Sequence, residues 1–180
     1  MINLNDTGFV IVSSDCNYGK IKSTFIAIKS INPTLSIKCV LPSFADDKDR
    51  AEVTNLCPFV QCGTNSIVGL INEGLISCSP TWNLILFAGT RLSLGCLRKY
   101  SLFKRSENDV LSPVIFAQDR LGRIAYESPY SLNGTLIHLN TFKKIGYLED
   151  MDILNSYQNW VLKGIAKGCN FKGIVGTRAF

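Results

Sequence analysis

A chain of 180 residues, 46% hydrophobic, 18% charged and 10% aromatic, carries the apolar material of one buried core, which predicts a single domain over 1–180 and excludes a disordered chain. Its formal net charge of +5 is modest, and the basic residues are scattered apart from Leu97-Arg98-Lys99-Tyr100 and Phe103-Lys104-Arg105, without the stripe and reading motif that nucleic-acid binding requires. Seven cysteines without a Cys-x-x-Cys pair, and with His138 the one histidine, argue against a disulfide framework or a zinc site and predict buried free thiols in a reducing compartment.

Met1 to Asp6 has neither a basic n-region nor a long apolar run, so the expectation is a cytoplasmic or particle-associated chain that is not secreted and does not span a membrane. Gly8 to Val12 is a β-branched apolar run ending at Ser13-Ser14-Asp15-Cys16-Asn17, the pattern of a buried strand entering a polar loop. Ile21, Phe25, Ile28 and Ile31 then follow a helical face until Asn32-Pro33 stops it, and Leu35 to Leu41 returns as a strand. Phe44 to Asn55 is polar and reads as a loop entering a short helix. Phe59 to Cys62 is a short third strand. Ile67, Leu70, Ile71 and Leu75 mark a helix capped by Thr64 or Asn65 and broken before Pro80.

Thr81 to Phe87 is an apolar run of strand length that stops at Ala88-Gly89-Thr90, with Arg91 next. In open α/β sheets ligands bind outside the carboxyl ends of the strands, which makes Ala88, Gly89, Thr90 and Arg91 the candidate site. Beyond it the spacing predicts a helix over Leu94 to Phe103, a strand over Pro113 to Ala117, and a hairpin through Gln118–Arg123 into Ile124-Ala125-Tyr126. Gly134 to Leu139 reads as a strand and Asn140 to Gly146 as one capped helical turn. The last helix shows an apolar face at Leu154, Tyr157, Val161 and Ile165 with Gly168 as its glycine cap, and Phe171 to Val175 closes as an edge strand. The alternation of strand and helix specifies an α/β fold, a mixed sheet flanked by helices with a late antiparallel hairpin.

Several of these segments, in this order, resemble the GT-A glycosyltransferases. Gly69-Leu70-Ile71-Asn72-Glu73-Gly74-Leu75 followed by Thr81 to Phe87 is similar to the helix and strand that precede that family's Asp-x-Asp pair. Val10 to Asn17 resembles the first strand and the loop contacting the nucleotide base, and Phe142-Lys143-Lys144-Ile145-Gly146-Tyr147 resembles the element ahead of the acceptor-side residues. The resemblance spans nearly the whole chain. It implies a Rossmann-like GT-A sheet and a nucleotide diphosphate sugar lying across Ser13, Asp15, Asn17, Asp46, Asn72, Ala88, Gly89, Thr90 and Arg91.

The same resemblance shows what is missing. The family's Asp-x-Asp pair holds a divalent metal that neutralises the leaving diphosphate, and here Ala88-Gly89-Thr90 stands at those positions. The Glu-Asp pair that opens the late helix and supplies the general base is replaced by Gln158-Asn159, whose neutral amides accept no proton. Asp150 and Asp152 are the catalytic candidates if the domain is active, and a divalent metal is implied in that case alone.

Three functions follow as expectations. The first is a degenerate domain serving as a structural or binding module among protein partners in an assembly, a virion among the possibilities. The second is a metal-independent glycosyltransferase using Arg91. The third is a regulatory domain that binds a nucleotide sugar without turnover. Each residue also has a plainer reading: Arg91 as a structural arginine, Asn72 as a bridge between backbone groups, Asp46 and Asp47 as a solvated loop, His138 as a core or edge histidine, and Trp82 and Trp160 as core aromatics.

Overall fold

A computed structural model describes residues 6–90, 94–103, 106–113, 116–118, 124–126 and 131–174. The first half alternates strictly: β1 (Thr7–Val12), α1 (Tyr18–Ile31), β2 (Ser36–Leu41), α2 (Asp47–Thr54), β3 (Phe59–Gln61), α3 (Ile67–Ile76) and β4 (Trp82–Phe87). There follow α4 (Leu94–Phe103), β5 (Asp109–Pro113), β6 (Phe116–Gln118), β7 (Ile124–Tyr126), β8 (Leu136–His138), α5 (Leu139–Ile145), α6 (Ile153–Ala166) and β9 (Asn170–Ile174).

Seven of the described strands form one sheet in the order β3-β2-β1-β4-β8-β5-β9. β1 pairs parallel with β2 and β4, and β8 runs antiparallel between β4 and β5. The late hairpin is β6 against β7, with Ala117 opposite Ala125; the turn between them lies outside the described residues. The expected mixed α/β sheet is therefore present. No helix among the described residues is long and apolar enough to cross a membrane.

The continuous apolar runs of β1 and β4 are what a strand buried on both faces requires. Phe9 and Ile11 point to a core shared with Ile21 and Ile28 of α1, Val53 of α2 and Tyr100 of α4. Val10 and Val12 point to a second core with α3, Phe142 of α5, and Tyr157 and Trp160 of α6. α3 lies close on the sheet at Gly74, where a Cβ would fall 2.6 Å from Val10 Cγ1 and 2.9 Å from Val40 Cγ2. All seven cysteines are free thiols, buried except for the half-buried Cys16.

Several boundaries differ from the sequence expectation, each for a physical reason. The α3 cap is Ser66, whose hydroxyl accepts from Gly69 N at 3.3 Å. α1 buries Ile21, Thr24 and Ile28, leaving Phe25 and Ile31 half-buried. In the main sheet the strand expected at Pro113–Ala117 is β5, Asp109–Pro113, whose polar members disguise it. Asp109 is buried against Lys172 at 2.8 Å, and the Ser112 hydroxyl lies 2.8 Å from Tyr157 Oη. α6 turns inward on Tyr157, Trp160 and Val161, while Leu154 and Ile165 face solvent. Its C-terminus closes as expected on Gly168 at φ +73, with Gly168 N bonding Ile165 O and Cys169 N bonding Gly164 O, both at 2.9 Å.

Candidate functional site

From β1 the chain builds outward to β2 and β3, then returns to the other side of β1 as β4. The sheet order therefore reverses at the β1/β4 boundary, and the crevice beyond those two carboxyl ends is the topological switch point where ligands bind in such sheets. Two short segments flank it: Ser13–Asn17 after β1 and Ala88–Thr90 after β4.

The turn after β4 is tied down from both sides. Ala88 N donates to Val12 O at 2.9 Å, carrying the strand pairing past the end of β4. Gly89 sits at φ +98, a conformation that a residue with a Cβ rarely adopts. Its N–H is shared between Lys20 O at 3.1 Å and Thr24 Oγ1 at 2.9 Å, and Thr24 Oγ1 donates in turn to Thr90 O at 3.0 Å. On the other side Asn133 Oδ1 accepts from Phe87 N at 3.0 Å and from Thr90 Oγ1 at 3.1 Å. Thr24 and Asn133 escape sequence reasoning. The readable signal for Thr24 is a polar residue at helical spacing between Ile21 and Ile28; for Asn133 there is none.

The segment after β1 is organised by the start of α1. Asn17 caps that helix through Lys20 N at 3.0 Å, and Asp15 accepts from Asn17 N at 3.2 Å. The Asp15 carboxylate also meets Lys20 Nζ at 2.7 Å, and that hydrogen bond holds it below the usual carboxylate range. Ser13 is buried with its hydroxyl 3.5 Å from Asp15. The Lys20 methylenes pass Gly89, where a Cβ would lie 3.7 Å from Lys20 Cγ. Lys20, unmarked by any motif, thus joins the two segments. Cys16 adopts φ +51, and burial together with Asp49 pushes its thiol up to about 11.

The remaining candidates have structural duties. Asp46 forms a capping box with Asp49, and Asp47 pairs with Arg50 at 2.8 Å from a fully exposed position. Asn72 bridges backbone in both directions, donating to Leu148 O at 2.9 Å and accepting from Leu148 N at 3.0 Å. Asp150 accepts from the Ser66 hydroxyl. Asp152 caps α6, and the hydrogen bond from the backbone N–H of Asn155 holds its pKa below the ordinary carboxylate value. The structure thus gathers Ser13, Asp15, Asn17, Ala88, Gly89 and Thr90 at one switch point, while Asn72 and Asp150 belong to a separate set of contacts joining α3 to the segment ahead of α6. His138 caps α5 and packs edge-on to Trp82 at 5.0 Å. Arg91, Asp119 and Arg120 lie outside the described residues.

No protein-family model and no curated protein matches the sequence. Among solved structures, that of S. aureus TarS 1–349, a GT-A-like glycosyltransferase, matches with a TM-score of 0.69 at 13% identity. The fold is GT-A-like. The match covers 96% of this chain and 59% of that one, so the chain spans less than two thirds of the TarS segment. At 13% identity the likeness is one of fold alone.

Within this GT-A-like fold, the strand end does not fit a divalent cation. Hard cations of this kind take oxygen ligands, carboxylates foremost. Ala88 and Gly89 carry no side-chain oxygen, the Thr90 hydroxyl is given to Asn133, and the neighbouring Asp15 carboxylate is held by Lys20.

Proposed function

We propose that this chain is a glycosyltransferase-like domain that has lost glycosyl transfer and serves as a binding or structural module in a larger assembly. One observation carries the reading: Ala88-Gly89-Thr90 stands at the switch point, and the flanking Asp15 is already neutralised by Lys20. Transfer from a nucleotide sugar must neutralise charge on the leaving diphosphate and remove a proton from the acceptor hydroxyl. The first task has no carboxylate-held metal here. For the second, a useful general base has a pKa near the working pH, whereas the pKa of Asp152 is driven lower by its capping bonds and Asp150 is hydrogen-bonded to Ser66.

The test is release of nucleoside diphosphate from uridine and guanosine diphosphate sugars in the presence of Mn²⁺. The expected rate equals that of buffer alone. Sustained release that requires both protein and Mn²⁺ overturns the proposal.

The position of Lys20 favours a second reading, in which the cleft binds a nucleotide diphosphate sugar without turnover. Its ammonium pairs with Asp15 of one segment while its methylenes pass Gly89 of the other, and it needs only to leave Asp15 to meet a diphosphate. Replacing Lys20 by Ala then abolishes the heat of binding seen in calorimetric titration. An unchanged isotherm sinks this reading.

A further inference from the structure

We propose that the edge of the sheet opposite the cleft docks on an anionic lipid bilayer, with the chain lying on the membrane surface. β8 runs antiparallel to both β4 and β5, so β5 points the same way as β4, and its amino end at Asp109 stands away from the switch point. At that edge the segment after α4 is held against α5 and the end of α6. Glu107 O accepts from the Thr141 hydroxyl, Lys144 Nζ donates to Asn108 Oδ1 at 3.3 Å, and Asn170 N donates to Asn108 O at 2.8 Å. Lys167, at the close of α6, reaches the same place by donating to Lys144 O at 2.7 Å.

Apolar and cationic side chains meet there. α4 buries Cys96, Leu97 and Tyr100, which turns Arg98 and Leu102, one helical turn apart, to the outside. Leu102 is 69% exposed and Phe103 45%. Phe103 stands three residues before Ser106, so at most about 10 Å of chain parts it from the segment tied to α5. Lys143 and Lys144 are exposed on α5. Among the described residues Lys144 and Lys167 donate to neutral oxygens, so their charges are not cancelled by these bonds. Lys104 and Arg105, which follow Phe103 in the sequence, carry two further positive charges, although their placement lies outside the described residues. The exposed carboxylate within these contacts is Glu107, which accepts from Asn140 at 3.0 Å.

Charge and area together select the occupant. The acidic residues Glu149, Asp150 and Asp152 stand at the other end of the 14-residue α6, about 20 Å from Lys167, so this edge presents mainly positive charge. Each lysine or arginine near an anionic bilayer gains about 1 kcal/mol. Two neighbouring apolar side chains fall short of the roughly 800 Å² per partner of a standard protein interface. They are well suited to enter the headgroup layer, where an apolar helix end and flanking cations are satisfied at once. A soluble polyanion would pair with the cations and leave Leu102 and Phe103 in water. The proposal is independent of how the cleft is read, because its test contains no nucleotide.

Co-sedimentation of the purified chain with phosphatidylcholine vesicles, with and without phosphatidylserine, reads the docking directly. Binding is expected to require phosphatidylserine and to weaken as salt rises. Leu102→Ser is expected to weaken it at least about fivefold through the lost apolar burial, and the pair Lys143→Glu and Lys144→Glu about tenfold or more. Both variants alter exposed side chains, and an unchanged melting temperature shows that the fold is intact; for a variant that melts early, Leu102→Ala or Lys143→Gln with Lys144→Gln takes its place. No pelleting with either vesicle, equal pelleting on phosphatidylcholine alone, or binding indifferent to both variants overturns the proposal. So does binding lost with the lysines yet unchanged by Leu102→Ser, which makes the edge a general polyanion surface.

Discussion

Asn133 shows how few side chains hold the strand-end turn. Its single oxygen serves two donors, Phe87 N and Thr90 Oγ1, and replacing it by Ala leaves the Phe87 N–H without that acceptor. Asn133→Ala is expected to cost roughly 1–3 kcal/mol in denaturant unfolding, the range for stranding a shielded donor. Gly89→Ala meets no steric wall, since the nearest side-chain atom would be 3.7 Å away, so its cost is conformational. We expect about 1–2 kcal/mol from forcing an L-residue to positive φ; a neutral result would show that the turn relaxes. At this scale the sequence was partly legible. Ala88-Gly89-Thr90 announced itself by ending an apolar run, whereas Lys20 and Asn133 reach the turn only through folding, and nothing local marks them.

Helix α3 and strand β5 are the elements whose packing is most exposed to test. Gly74→Ala places a methyl 2.6 Å from Val10, deep under α3. Overpacking of this kind costs about 1–3 kcal/mol, against which the helix gains up to about 1 kcal/mol on losing a glycine. Net destabilisation with the helix content unchanged is the expected outcome.

At β5, burial pushes the Asp109 carboxyl up, but the hydrogen bonds from Lys172 and Asn170 outweigh it and hold the group below its ordinary value. A depressed folded-state value contributes stability above the unfolded value of about 3.9, and that stability is lost as pH falls through the folded value. Thermal melts of wild type and Asp109→Asn should therefore differ at neutral pH and converge in acid; a gap that persists below both values contradicts the ion pair. β5 was misplaced in the sequence because burial of Asp109 and Ser112 depends on partners far along the chain. The α6 face was half-read for the opposite reason. Its apolar residues wrap more than one side, and periodicity alone does not say which side meets the core.

On the scale of the molecule, the mixed sheet followed from the alternation of strand and helix, and the late hairpin from a turn between two short apolar runs, whereas the strand order is seen only in the fold. The function did not follow in the same way, because it turns on residues that are replaced rather than present. The crevice that such a sheet leaves outside the carboxyl ends of β1 and β4 is flanked by an ion-paired carboxylate, a lysine and a tightly hydrogen-bonded turn. Calorimetric titration of the protein with uridine and guanosine diphosphate sugars, run with and without Mn²⁺, addresses that crevice most directly. The account predicts that Mn²⁺ leaves the heats unchanged, whether or not nucleotide sugar binds. An isotherm that appears with Mn²⁺ and disappears on chelation would contradict it.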